Sequence, residues 1–275
     1  MESQTVPIIY LGTRGAEFKA LIQNLLDRGH LKPKYVEFLT SAKSMSMYEQ
    51  AFTSASGNGT VNYEVFEQLG DLSINKFIVW YAHRRFPQLN CPLGVKVAAR
   101  LRINYGSRDS LSKIGEELGF WPFISASEED RYHKKKDLLE DCMESFIGCT
   151  EYMLDQEFIP GVGYPIVYTI LKSLFDEMPM SLAYNDLYDA KTRLKELFDS
   201  RKDLGTWKMF DDRTDKLTRV TVFQTTNAGR RAIGEGTAAR KDDAGQRAAT
   251  QALEFFRSQG IFKPIAEEYL RFCRR

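Results

Sequence analysis

The 275-residue sequence predicts a mainly α domain followed by a small α+β domain with the order α-β-β-β-α. Three observations lead there. Apolar residues recur at helical spacing up to about residue 180, with no alternating strand before it. Three short runs of β-type residues then fall between two amphipathic helices. Charge divides at the same place: residues 189–275 hold 19 basic and 13 acidic side chains, and residues 1–188 hold 19 basic and 24 acidic, so a net charge of +1 conceals a positive and a negative part. Such asymmetry signals a division of partners.

The helices follow in order. Residues 16–28 (AEFKALIQNLLDR) form one, with Gly29 as its stop. Residues 44–53 form a second, and 54–60 (SASGNGT) a loop. A long helical pattern covers 62–85 and ends before Pro87. Helices are also predicted at 95–105, 110–119, 133–154 and 164–176. After a junction at 181–188 come an amphipathic helix at 188–200 and strands at 206–210, 217–224 and 230–235. Asp211-Asp212-Arg213-Thr214-Asp215 is read as a polar turn between the first two strands. A helix at 238–258, rich in alanine on one side, and a final helix in 261–275 complete the chain.

Composition excludes several classes. Hydrophobic residues at 43 % suffice for a buried core. No run of 18 apolar residues occurs, and the first dozen residues are too polar for a signal peptide, so an intracellular, cytoplasmic protein off the membrane is expected. Cys91, Cys142, Cys149 and Cys273 form no CxxC pair, which argues against zinc and for reduced thiols. Cys142 and Cys149 suit core packing, His83 suits a helix end, and no Ser/His/Asp arrangement stands out.

Two acidic clusters carry the chemistry. In NYEVFEQLGD (62–71), Glu64, Glu67 and Asp71 fall at i, i+3 and i+7 and share one helix face. Gly70 inside that helix costs about 1 kcal/mol against Ala, which close approach of a neighbouring backbone would explain. In LLEDCMESFIGC (138–149), Asp141 and Glu144 lie at i, i+3 among apolar neighbours. Carboxylates from two helices that meet can hold hard divalent cations. Acidic pairs also commonly face solvent, and spacing alone does not reach a nuclease.

NYEVFEQLGD resembles the signature helix of the ribonuclease III family, N-Y-E-x-x-E-x-L-G-D. KDLLEDCMESFIG (136–148) resembles the family's second motif, and QAFTSAS (50–56) its A-L-T-H-S-S stretch, with Ser54 and Ala55 where His and Ser are usual. Residues 189–258 resemble a double-stranded RNA-binding domain. There the family's basic K-K-x-A-K reads Lys241-Asp242-Asp243-Ala244-Gly245, and the usual His of the first hairpin is missing. The insert at 157–168 and the GCTEYMLD run are more similar to versions from large DNA viruses.

The resemblance implies a ribonuclease III-like endonuclease domain at 1–180, a linker at 181–188, an RNA-binding domain at 189–262 and a tail at 263–275. It implies cleavage of double-stranded RNA to 5′-phosphate and 3′-hydroxyl ends, with Mg²⁺ or Mn²⁺ as cofactor and a homodimer through the endonuclease domain. Glu67, Asp71, Asp141 and Glu144 are the implied metal ligands, and Asp71, Glu144 and Glu64 the implied catalytic residues. Lys191, Thr192, Arg230, Arg231, Arg240, Lys241 and Arg247 are the expected RNA-binding residues. The competing readings are a ribonuclease III-like protein that binds duplexes without cutting, and a helix-turn-helix regulator using 95–119.

Overall fold

The computed structural model describes residues 7–214 and 216–273. Asp215 and the first six residues lie outside it, as does the Cys273 side chain. The chain divides into two compact units, 1–180 and 181–275.

The first unit is helical. Strand β1 (Ile9–Tyr10) leads to α1 (Ala16–Arg28), α2 (Pro33–Leu39) and α3 (Ala42–Ala51). Then come α4 (Glu64–Arg85), α5 (Gly94–Tyr105) and α6 (Arg108–Glu117). Strand β2 (Ala126–Ser127), α7 (Glu128–His133), α8 (Lys135–Glu157) and α9 (Gly163–Asp176) complete it. Pro33 starts α2 at the position where a missing N–H does no harm. Ser41 and Ser127 cap α3 and α7, accepting from the amides of Ser44 at 3.3 Å and Asp130 at 3.1 Å.

β1 and β2 pair antiparallel. They correct the expectation of no strand before residue 180: two residues are too few to show an alternating pattern. Helix α8 is the spine of the unit. Leu138, Cys142, Met143, Phe146, Ile147, Cys149 and Leu154 are all buried in one core with Phe18, Phe52, Phe77 and Phe175. Burial raises the pKa of the Cys142 and Cys149 thiols, which therefore act as small hydrophobes. Of the apolar run 72–81, Ile74, Phe77, Ile78 and Tyr81 are core, whereas Leu72 and Trp80 are exposed.

The second unit runs α10 (Tyr184–Leu187), α11 (Ala190–Ser200), β3 (Thr206–Arg213), β4 (Thr218–Thr226), β5 (Gly229–Ala238), α12 (Lys241–Ser258) and α13 (Glu267–Cys273). The sheet is antiparallel with order β3-β4-β5. Ala244, Ala248, Ala249 and Ala252 form the buried stripe of α12, packed with Leu194, Phe198, Val220 and Val222. The strands are longer than expected, and Asp211, Asp212 and Arg213 belong to β3, not to a turn. β3 is an edge strand and these three side chains are exposed, so their charges stay in water. Among the described residues no helix is long and apolar enough to cross a membrane.

Candidate metal centre

Helices α4 and α8 cross where each has a glycine. A β-carbon on Gly70 would lie 1.8 Å from the Glu144 carbonyl oxygen, and one on Gly148 would lie 2.0 Å from that of Phe66. The backbones therefore touch, and the close approach expected at Gly70 is present, with α8 as the neighbour. This contact sets the acidic face of α4 beside that of α8. The QAFTSAS stretch supports the start of α4: Gln50 Nε2 donates to the Asn62 carbonyl at 3.0 Å and Tyr63 N to that of Thr53 at 2.9 Å. Ser54, where the family usually has His, is buried and bonded to the Ser125 carbonyl through its amide at 2.9 Å.

Glu67, Asp71, Asp141 and Glu144 are all at least partly buried at this crossing, while Glu64 is exposed at its edge. Glu144 is only 7 % exposed. Burial, then repulsion from Asp71, Glu140, Glu67 and Asp141, pushes its carboxyl up to about 9. Burial, then Asp141, Glu64, Glu140 and Asp71, pushes Glu67 up to about 7. Asp141 is raised by burial, partly offset by a hydrogen bond from Tyr63. These groups sense one another across the two helices, so the spacing has produced one electrostatic cluster.

Three neighbours escape a reading of spacing alone. Tyr63 donates its hydroxyl to Asp141 Oδ2 at 2.6 Å. Asn75 Nδ2 donates to Asp71 Oδ1 at 2.6 Å and is itself held by Arg102, whose Nη1 donates to Asn75 Oδ1 at 3.0 Å. Arg108 on α6 pairs with Asp137 at 2.5 Å and Glu140 at 3.0 Å. Tyr63 sits inside the NYE motif and Asn75 one turn beyond Asp71, which is the only sequence signal they carry. Arg108 neutralises the outer acids of α8 and makes no ion pair with Glu67 or Glu144.

The donor set is all oxygen, which suits a hard divalent cation. Among the described residues no group of three or more His, Cys, Asp or Glu side chains already converges to hold a metal ion. Mutual repulsion among carboxylates favours that separation, and burial together with that repulsion raises Glu67 and Glu144. His83 pairs with Asn90 at the end of α4 and lies outside the cluster.

The basic residues of the second unit fall into two groups. Lys191, Thr192, Arg240, Lys241 and Arg247 lie on or beside α11 and α12, where acids occupy much of their charge. Lys191 pairs with Asp242 at 3.1 Å and Lys241 with Asp211 at 2.8 Å. Thr192 is bonded to the capping Asp189, its amide donating at 2.8 Å, and Arg247 donates to the Thr237 carbonyl at 2.7 Å. Arg230 and Arg231 stand at the start of β5, roughly 25 Å at strand rise from its end at Ala238, beyond which Arg240 begins α12. Arg230 stacks on Phe210 and Phe223, and Arg231 on Phe255 with a 2.8 Å bond to Gln224. The seven residues thus do not form one face.

The family model for the ribonuclease III domain matches residues 64–153, the span of both acidic clusters. A protein of Invertebrate iridescent virus 6 named "Putative ribonuclease 3" is 42% identical over 263 residues, covering 90% of this chain and 89% of its own. "Ribonuclease 3" of Limosilactobacillus reuteri is 30% identical over 235 residues, covering 81% and 94%. The nuclease domain of ribonuclease III from Campylobacter jejuni superposes with a TM-score of 0.46 at 20% identity, over 62% of this chain and 99% of that one.

Proposed function

This chain belongs to the ribonuclease III family and is an endoribonuclease of that type, and on that premise we propose that it hydrolyses double-stranded RNA with a divalent metal held by Glu67, Asp71, Asp141 and Glu144. The observation that carries this reading is the Gly70–Gly148 crossing, which supports one cluster of partly buried carboxylates with, among the described residues, no cation paired to Glu67 or Glu144.

Glu67, Asp71, Asp141 and Glu144 would hold a divalent ion, Mg²⁺ or Mn²⁺, which when bound would supply Lewis acidity toward phosphate and water. The protein's own residues do the rest. Tyr63 fixes Asp141 and Asn75 fixes Asp71, so two donors are held in place before substrate arrives. Arg108 occupies Asp137 and Glu140, which leaves Asp141 and Glu144 for the reacting end. Glu144, its carboxyl pushed up to about 9 by burial and by the neighbouring acids, would be among the residues holding the ion. Glu64, exposed at the edge, orients water or substrate. Cleavage leaves a 5′-phosphate and a 3′-hydroxyl.

The exposed stripe Val65, Leu69 and Leu72 runs along α4 beside the carboxylates and suits a homodimer contact that sets two such sites on one duplex. The second unit grips phosphates and 2′-hydroxyls with Lys191, Thr192, Arg240, Lys241 and Arg247, reading A-form shape. Arg230 and Arg231, at the far end of β5, are outside that grip.

The test is a labelled RNA duplex incubated with Mg²⁺, with Mn²⁺, or with EDTA. Metal-dependent shortening is expected, and Glu144→Gln should abolish it while duplex binding in gel shift persists. Shortening in EDTA would remove the metal from the reading. Binding without cleavage under any metal would make this a duplex-binding protein.

A further inference from the structure

Arg14 lies between β1 and α1, and its guanidinium is turned into the first unit. Its Nη1 donates to the Phe123 carbonyl at 2.6 Å. Its Nη2 donates to Ser125 Oγ at 3.0 Å, the Glu49 carbonyl at 3.3 Å and Thr53 Oγ1 at 3.4 Å. The centre of the Phe18 ring lies 5.0 Å from the guanidinium carbon. Taking a cation out of water is costly unless its N–H groups find acceptors, and here both arms find them.

Those acceptors have a place in the fold. Glu49 is in the last turn of α3, where carbonyls lack helical partners and where α3 has no basic residue of its own. Arg14 brings to that helix end the positive charge it lacks. The same stretch reaches both helices of the metal centre. Gln50 and Thr53 hold Asn62 and Tyr63 at the entry to α4, and the Ala51 carbonyl accepts from Cys142 Sγ of α8 at 3.5 Å. Tyr63 donates in turn to Asp141. One side chain thus ties the end of α3 to the 123–125 segment within the stretch that seats Tyr63.

We propose that Arg14 is a positioning residue of the metal centre: it fixes the end of α3, which fixes Tyr63, which fixes Asp141. The last step rests on the metal reading above, and the earlier ones on hydrogen bonds of the chain alone. The backbone before α1 stays docked without the Arg14 side chain, since Gly12 N donates to Ser125 Oγ and Thr13 N to the Pro122 carbonyl, each at 2.9 Å. Replacing Arg14 therefore frees the end of α3 and leaves the segment that carries it in place.

The test uses the full chain as Arg14→Gln, Tyr63→Phe and the double variant. Mn²⁺ binding by calorimetry, without RNA, should weaken about tenfold in each single variant. The double variant should be no more than about twofold weaker than Tyr63→Phe, because both act through one contact. In hydrogen exchange on metal-free Arg14→Gln, protection of the Tyr63 amide should fall about tenfold relative to the Ile170 amide in α9, a ratio that general destabilisation does not lower. Unchanged Mn²⁺ affinity, losses that multiply in the double variant, or equal loss of protection at Tyr63 and Ile170 would each overturn the proposal. If Arg14→Gln fails to fold by circular dichroism, Arg14→Lys, which keeps the charge and loses the planar fork, decides by the same measurements with effects of about threefold. If the native chain binds no Mn²⁺, the metal reading falls, and the exchange ratio alone decides whether Arg14 holds Tyr63.

Discussion

Gly70 and Gly148 lie backbone to backbone: a β-carbon on Gly148 would stand 2.7 Å from the Gly70 amide nitrogen, and one on Gly70 would stand 3.0 Å from that of Gly148. The clashing atoms are main chain on both sides, which cannot turn away as a side chain can. Gly148→Ala should therefore push the helices apart, lowering stability by about 1–3 kcal/mol as overpacking does and lowering cleavage further than stability explains. Urea denaturation and a duplex cleavage assay check this. A variant that keeps both would mean the carboxylates do not need the close crossing.

Tyr63→Phe removes the 2.6 Å bond to Asp141 without changing the ring. The stability loss should be about 1 kcal/mol. Cleavage should fall by roughly 10–100-fold through looser metal affinity, and raising Mg²⁺ should recover part of it. A loss that no Mg²⁺ concentration relieves would place Tyr63 outside the donor support.

Stability of the metal-free chain should depend on pH in a defined direction. Glu144 is raised to about 9 and Glu67 to about 7 from an ordinary 4.5. An acid raised in the folded state binds its proton more tightly there than in the unfolded chain, so stability is lost as pH rises from the unfolded value toward the folded one. In EDTA, Tm should fall between about pH 5 and pH 9, and Glu144→Gln should flatten the fall. Mg²⁺ should restore more Tm at pH 8 than at pH 6. A native Tm profile no steeper than that of Glu144→Gln would show that these carboxylates are not the strained group.

Asp242→Asn frees Lys191 from its 3.1 Å ion pair. Duplex affinity should rise several-fold at low salt, and the dependence of log K on log salt should steepen by about one unit for one added phosphate contact. Filter binding across a salt series measures both. Unchanged affinity and slope would mean that Lys191 does not face the RNA.

Much of this arrangement is legible in the residues, for physical reasons that differ by position. The i, i+3, i+7 spacing of Glu64, Glu67 and Asp71 requires one helix face, and a glycine retained within a long helix signals close packing. What spacing cannot give is the partner in space. Gly148 meets Gly70 only when α4 and α8 pack, and Arg108 meets Glu140 only when α6 and α8 pack, and spacing along either helix shows neither contact. Asp211–Arg213 look like a turn because charge and turns correlate, yet an edge strand with exposed side chains accepts the same composition. The separation of Arg230 from Arg240 likewise depends on the length of β5, which extends to Ala238.

Helix α4 carries acids at 64, 67 and 71 and core residues at 66, 70, 74 and 77 on interleaved faces. One helical residue turns the chain by about 100°. A single insertion or deletion between Glu64 and Asp71 would swing the upstream acids away from α8 while the core downstream stayed in place. Its tolerance is therefore for substitution at an exposed position such as Gln68, and not for any change in length. The segment works as a ruler: the count of residues between the acids and the glycine matters as much as what those residues are.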